Sequence, residues 1–555
     1  MNRTATNPTG ASRDAGRVAR WWTWGVGAAA LYWSAAMFLR PARLLMENGH
    51  GYQLAGAGEI LAGRHPFIDF QDVYGPLAHY ASAAGLWVCG ERVAGELLVC
   101  SLGFAVGHVI FFRLLLALGA GRVIALGATL LTLLVQSAPY RYYMLLCPMI
   151  FLGTAWRYVA APVTARMGGM ALAVAVGGLF RPDFGVLGFL AGAIAVWCVP
   201  QNAARRARLV ALFAAFIVAA ALPWLVWLAL RGHLGDYLIN SSGAAAAMNS
   251  AEGMGRPAVG LSFSNGWWTE QNAKAVLLRL PLATLVLALV GVWRWRAAIP
   301  ESARPWLWCA VAYAVFSQAQ AEQIGDWLHA RDPLPVRILL LAWICVLAAR
   351  AMPSSGGANV SRRLTWGAAG VAAALLALAG AHHQPLRQLK PAGLAAKVRD
   401  YWERRPEFLA RIPPWESFRP AFYGYLRAHS APDESVLAVT EAPQMNFFAE
   451  RRLVGGQLAL LPGYFASPRD QTALVAALRD PRTALVVVVQ EAQPNYPDLR
   501  LANFAPIVWA CLTGDFQEVA RFNAIRVLAP RARIRPGTEE HWTPRRNRAS
   551  PVDSK

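Results

Sequence analysis

Between Trp21 and Leu39 the chain carries no charged residue, and as a helix that run is long enough to cross a hydrocarbon core of about 30 Å. Comparable apolar segments recur between polar breaks, beginning near Trp21, Val93, Val123, Tyr143, Gly168, Asp183, Leu209, Ala275, Pro305, Leu334 and Leu364. Those starting at Val123 and Gly168 are short and suit tilted or partly buried helices. With 56% hydrophobic residues, 15% charged residues and a mean hydropathy of +0.33, a soluble globule is excluded. The pattern predicts an α-helical polytopic membrane protein of about eleven transmembrane helices. The first run is tryptophan-rich and is followed by Arg40 and Pro41 without a small-residue cleavage site, so it reads as a retained span.

Charge placement orients the chain. With the N-terminus inside, the short cytoplasmic segments collect arginines such as Arg122, Arg157, Arg166, Arg205, Arg206, Arg208, Arg294, Arg296, Arg350, Arg362 and Arg363, opposed only by Asp14 and Glu301. Nearly all the remaining acids before the tail fall on the outer face, Glu47, Glu59, Asp69, Asp72, Asp326 and Asp332 among them. The net charge of +21 therefore reflects topology and calls for no nucleic acid. Cysteine spacing outlines neither a disulfide framework nor a zinc site.

After about His382 the composition turns polar and proline-rich. β-type runs at Val436–Thr440 and Ala484–Gln490 flank a helical stretch from Asp470 to Arg479, and Gln517 to Leu528 alternates like a strand or hairpin. The expected organisation is a cytoplasmic segment over 1–20 and a membrane domain over 21–381. A small extracytoplasmic α/β domain over 382–530 and a disordered basic tail over 531–555 complete it.

The segment from Glu47 to Tyr80, ENGHGYQLAGAGEILAGRHPFIDFQDVYGPLAHY, sets carboxylates where a lipid surface begins. Tyr52 to Leu61 has helical spacing and predicts an amphipathic interfacial helix stopped by Gly63 and Pro66. A turn at Tyr74, Gly75 and Pro76 leads into a second one containing His79 and Tyr80. Asp69 and Asp72 are three apart, so they either line a site, with a divalent cation as one option, or cap and turn the chain.

Other outer positions carry similar ambiguities. Arg181 and Asp183, in GLFRPDFGVLG, form either a mutual ion pair that lets a helical hairpin insert or a ligand-facing pair. Asp326 and His329, in EQIGDWLHARDPLP, have a spacing that can hold a metal or carry protons but that recurs too widely to define either. Arg141 with Tyr140, Tyr142 and Tyr143 reads first as an interfacial aromatic belt and second as a headgroup site.

The run GRHPFIDFQDVYGPL resembles the first-loop signature of the bacterial C-type glycosyltransferases, multi-pass membrane enzymes that use polyprenyl-phosphate-linked sugars. The resemblance covers residues 20 to 350 well and the tail loosely. It implies that Glu47 corresponds to the acid after the first span, Arg181 and Asp183 to a second element, and Asp326 with His329 to a late loop. Two departures stand out: Glu47 replaces the commoner aspartate, and Ile324 stands where an arginine is frequent, leaving Arg331 or Arg337 as substitutes.

On this reading Glu47, Asp69 and Asp72 supply the catalytic carboxylates. One of them takes the proton from an acceptor hydroxyl as it attacks the anomeric carbon, with inversion, a form of assistance worth about 10²–10⁴-fold. Arg64, Arg141, Arg181 and Arg331 face the departing phosphate, and Tyr74, Asp183, Asp326 and His329 join the substrate site. The donor is a polyprenyl-phosphate sugar, and the acceptor is a glycan, lipid or protein of the cell envelope. No cofactor is required, and a divalent cation is optional. The expected location is the bacterial inner membrane, among its lipids. The alternative is a transporter or flippase of a lipid-linked or small polar substrate, which would bury ionisable groups near the bilayer midplane. A non-catalytic envelope assembly factor is a third reading.

Overall fold

The computed structural model describes residues 9–38, 48–71, 74–90, 92–136, 139–239, 241, 270–318, 331–351, 418–439, 444–458, 460, 467–489, 501–522 and 525–534. The helices before the tail are, in chain order, α1 (Thr9–Phe38), α2 (Asn48–Leu61), α3 (Pro76–Val88), α4 (Val93–Ala117), α5 (Arg122–Val135), α6 (Tyr143–Ala160), α7 (Thr164–Phe180) and α8 (Pro182–Cys198). They continue with α9 (Ala203–Leu230), α10 (Glu270–Arg294), α11 (Arg304–Phe316) and α12 (Leu334–Ala351). Ten of the expected apolar segments fall on the helices α1 and α4–α12; the segment beginning at Leu364 lies outside the described residues. Among the described residues, α4, α6, α9 and α12 are each long and apolar enough to cross a membrane, while α5, α7 and α8 are shorter apolar helices. At 14 residues, α5 is about 21 Å long, short of a full hydrocarbon core.

The chain divides into two compact units. The first comprises Met1–Leu39, Leu97–Trp224 and Arg256–Ala395. Its core is packed apolar side chains, including Phe151, Trp306 and Trp343, with the indole N–H of Trp306 donating to the Leu152 carbonyl at 3.0 Å. In lipid no hydrophobic drive separates helix from tail, so close approach of small residues does the packing. Gly178 of α7 and Gly185 of α8 illustrate it: a Cβ built on either would lie 3.2 Å or less from the other's Cα. Pro182 opens α8 and Pro305 opens α11, positions where the missing N–H costs nothing.

The second unit comprises Arg40–Glu96, Leu225–Gly255 and Ala396–Lys555. It joins α2 and α3 to an α/β body built from α13 (Phe418–Ala428), β1 (Ser435–Val439), α14 (Gln444–Ala449), β2 (Arg452–Leu453), α15 (Pro468–Leu478), β3 (Thr483–Val489), α16 (Pro506–Asp515), β4 (Phe516–Phe522) and β5 (Ile525–Pro530). The sheet runs β2-β1-β3-β5-β4. β1 is parallel to β2 and β3, while β5 is antiparallel to β3 and β4. The apolar run of β3 suits a central strand covered on both faces. α15 and α16 supply Leu474, Leu478, Val508 and Leu512 to one face, and Phe422 of α13 meets Phe522 of β4 edge-on at 5.3 Å. The expected strands, helix and hairpin of the tail are all present. Residues 535–555 lie outside the described residues.

The expected interfacial helix over Tyr52–Leu61 forms as α2, and it ends where Gly63 takes φ +79°. It is enclosed by protein, however, not laid half in lipid. Tyr52 to Ala57 are all buried, with Gly56 against His79 of α3 and Gly51 and Gly58 against Gln444 and Phe447 of α14.

Candidate active site

In the second unit, the chain leaving α2 folds into a tight turn around Asp69. The Asp69 N–H donates to the His65 carbonyl at 2.9 Å, and the Asp69 Oδ2 accepts the His65 backbone N–H at 2.7 Å. Phe67 takes φ +65° between them and packs edge-on to Tyr237 at 4.9 Å, which holds this sparsely populated conformation in place. The His65 Nδ1 lies 2.9 Å from the Tyr80 hydroxyl, and the same ring meets Trp227 edge-on. One Asp69 oxygen therefore shapes the turn, as the capping alternative expected. The side chain also bears on Tyr80, whose phenol is pushed above its ordinary range by burial first and by the Asp69 charge second.

Beside this turn sits Glu59, 5% exposed, on the last turn of α2. It forms an ion pair with Arg64 and accepts the Leu453 backbone N–H. Burial raises it to about 7; Arg64, the Leu453 N–H and Arg452 act in the opposite sense, and Asp69 adds slightly to the rise. Arg64 is thus engaged by a carboxylate of its own loop. Tyr74 packs edge-on to Tyr52 at 6.0 Å, within a small core of Tyr52, Ala55, Phe70, Leu453 and Leu458. Nothing in the sequence pairs Glu59 with Leu453; the signal available was an acid placed in an otherwise apolar helix.

In the first unit, Arg181 closes α7 and precedes α8 in an extended conformation, and its guanidinium is bidentate to Asp183 at 3.0 and 2.6 Å. The Asp183 Oδ1 also accepts the Phe184 N–H. This is the ion-pair arrangement that lets a hairpin sit in a membrane. Arg141 pairs with Asp332 at 2.6 Å, both side chains 3% exposed. Tyr140, Tyr142 and Tyr143 are buried with it, so they are not an exposed belt; Tyr142 and Tyr143 pack on Phe180 of α7. Arg331, also buried, offers its carbonyl to Gln136, and Arg337 on the first turn of α12 donates to the Gln318 Oε1 at 2.6 Å and the Ala314 carbonyl. Arg337, one of the two substitutes offered for the missing arginine, belongs to the same stretch of chain, and Asp332 joins it without having been singled out as a binding residue from sequence. The planar fork of a guanidinium suits oxyanions such as carboxylate or phosphate.

Glu47, Asp72, Asp326 and His329 lie outside the described residues, so their placement relative to these clusters is not described. Among the described residues no group of three or more His, Cys, Asp or Glu side chains is placed to hold a metal ion.

The apolar helices and the small C-terminal sheet give the chain a likeness in fold to solved structures of low sequence identity. The chain is similar to ArnT from Cupriavidus metallidurans bound to undecaprenyl phosphate, at 14% identity with a TM-score of 0.50, over 92% of this chain and 98% of that one. The apo form of ArnT gives a TM-score of 0.48 over the same shares at 14% identity. The archaeal oligosaccharyltransferase AglB from Archaeoglobus fulgidus, in complex with an inhibitory peptide and a dolichol-phosphate, gives 0.49 at 12% identity over 93% of this chain and 75% of that chain. No family model matches the sequence, and no curated protein matches it.

Proposed function

We propose that this protein is an inverting glycosyltransferase that moves a sugar from a polyprenyl-phosphate donor to a cell-envelope acceptor at the outer face of the bacterial inner membrane. The observation that carries the reading is the Asp69 turn: an acid held in a tightly bonded loop just after α2, on a fold shared with an enzyme that binds undecaprenyl phosphate. A lipid-linked donor suits such a loop, because the phosphate stays at the bilayer surface while the sugar reaches the carboxylates.

In this mechanism Glu47, Asp69 or Asp72 accepts the proton of the acceptor hydroxyl as its oxygen bonds to the anomeric carbon. The bond from that carbon to the phosphate oxygen breaks on the opposite face, and the polyprenyl phosphate leaves with the electron pair. The buried arginines Arg141, Arg331 and Arg337 are the groups assigned to the phosphate, together with Arg181. Arg64, held by Glu59, keeps the phosphate-facing role that the resemblance of its loop implies. Tyr74, Asp183, Asp326 and His329 are assigned to the substrate site, and a divalent cation at the acids remains an option of the chemistry.

The test uses purified protein in lipid discs supplied with a donor and an acceptor. Asp69→Asn keeps an oxygen able to accept the His65 N–H, so the turn survives while the charge is lost. Glu47→Gln likewise removes a charge at nearly constant volume. Each is expected to lower transfer by about 10²–10⁴-fold if it is the base. Full activity in both variants rules out Glu47 and Asp69 as the base and leaves Asp72, for which Asp72→Asn is the same test.

A further inference from the structure

Among the described residues, the α/β body meets the Asp69 turn through the short segment Arg452–Leu458. The Gln71 N–H donates to the Gly456 carbonyl at 2.9 Å, and Gln71 forms an isolated parallel bridge with Gln457. Gly456 has φ +67°, and a Cβ built on it would lie 2.2 Å from the Asp69 carbonyl oxygen and 3.0 Å from the Phe70 Cα. That position therefore requires glycine twice, for its backbone conformation and for its contact. Gly455, at φ +58°, backs onto Leu474 and Ala477 of α15, which anchor the turn to the sheet. Three residues earlier, the Leu453 N–H is bonded to the Glu59 carboxylate, and Leu453 and Leu458 complete the core beneath Phe70. Asp69 is consequently gripped on two sides, by its own side chain on His65 and by its backbone against Gly456.

We propose that the Arg452–Leu458 segment of the α/β body is a positioning element for Asp69, acting through Gly456 on the backbone of the turn and through Glu59 on its base. The proposal rests on the reading of Asp69 as part of the reaction centre. It gives the C-terminal body a task in catalysis: it fixes where the acid stands, and helix α15 behind Gly455, packed on the sheet, supplies the stiffness. Reacting groups displaced by about 1 Å can lose on the order of 100-fold in rate, so such a support is visible in turnover. Glu59 and Gly456 are positioning residues here and touch no substrate.

The test is hydrogen exchange and turnover on the full chain in lipid discs, comparing Gly456→Ala and Glu59→Gln with the parent. In Gly456→Ala the peptide spanning residues 64–71 is expected to exchange about tenfold faster or more, while peptides from α15 and β3 keep their protection. With a donor that the parent uses, kcat is expected to fall about 100-fold while KM for the donor changes less than about twofold. Glu59→Gln, which leaves the glycine turn intact and is the milder change, is expected to shift both readouts in the same direction by less. Unchanged exchange at 64–71 in a folded Gly456→Ala protein overturns the contact, and faster exchange with unchanged kcat overturns the positioning role. If Gly456→Ala does not fold, Glu59→Gln decides on the same two readouts. If the parent transfers sugar from no donor, it is the glycosyltransferase reading that fails, and the exchange result still decides whether this segment holds the turn.

Discussion

At the residue scale, Glu59 shows how one buried acid can report on a whole loop. It is held between Arg64, Arg452 and the Leu453 N–H, with Asp69 nearby, and burial lifts it from 4.5 to about 7. An acid raised on folding binds more protons in the native state than in the unfolded state between those values. Its contribution to stability is fully present below about pH 4.5 and is lost as pH rises toward 7. Replacement by Gln should therefore gain on the parent over that window, by at most on the order of 3 kcal/mol. Thermal midpoints of parent and Glu59→Gln, measured in lipid discs from pH 4.5 to 8, check this; a constant difference across the range would contradict it. Such pairs were hidden in the sequence because Glu59 and Leu453, like Asp69 and Gly456, stand far apart along the chain. Local pairs were accessible: Arg181 and Asp183, two residues apart with almost no linker, are joined as the ion-pair alternative expected.

At the element scale, helix starts were legible because apolar runs must begin where charge, glycine or proline interrupts them. The starts near Tyr143, Asp183, Pro305 and Leu334 fall within a residue of α6, α8, α11 and α12. What surrounds a helix was much less legible. Protein and lipid are equally apolar to a composition-based reading, so α2 was expected at an interface and Tyr140 to Tyr143 in a belt, and both are buried. The small residues of α2 were the overlooked signal, since Gly51, Gly56 and Gly58 admit α14 and α3 to its surface. A Cβ on Gly56 would lie 2.2 Å from the His79 Nδ1. Gly56→Val should accordingly lower stability by about 1–3 kcal/mol through overpacking. The readout is the thermal midpoint, and an unchanged value would show that α2 and α3 can separate without cost.

At the scale of the whole molecule, the helical class and the small C-terminal sheet were legible in the sequence, whereas the site was legible only in pieces. The first-loop run GRHPFIDFQDVYGPL pointed to the acid turn around Asp69. It did not show that the turn leans on a sheet formed by the other end of the chain. The central claim, transfer of a sugar from a lipid phosphate, has a direct measurement. The protein is placed in sealed vesicles with a panel of polyprenyl-phosphate sugars, and free polyprenyl phosphate and the intact lipid on each leaflet are followed with and without acceptor. The account predicts release of polyprenyl phosphate that depends on acceptor and yields a product of inverted anomeric configuration. Movement of the intact lipid between leaflets, with no polyprenyl phosphate released from any donor, would contradict it and favour a transporter.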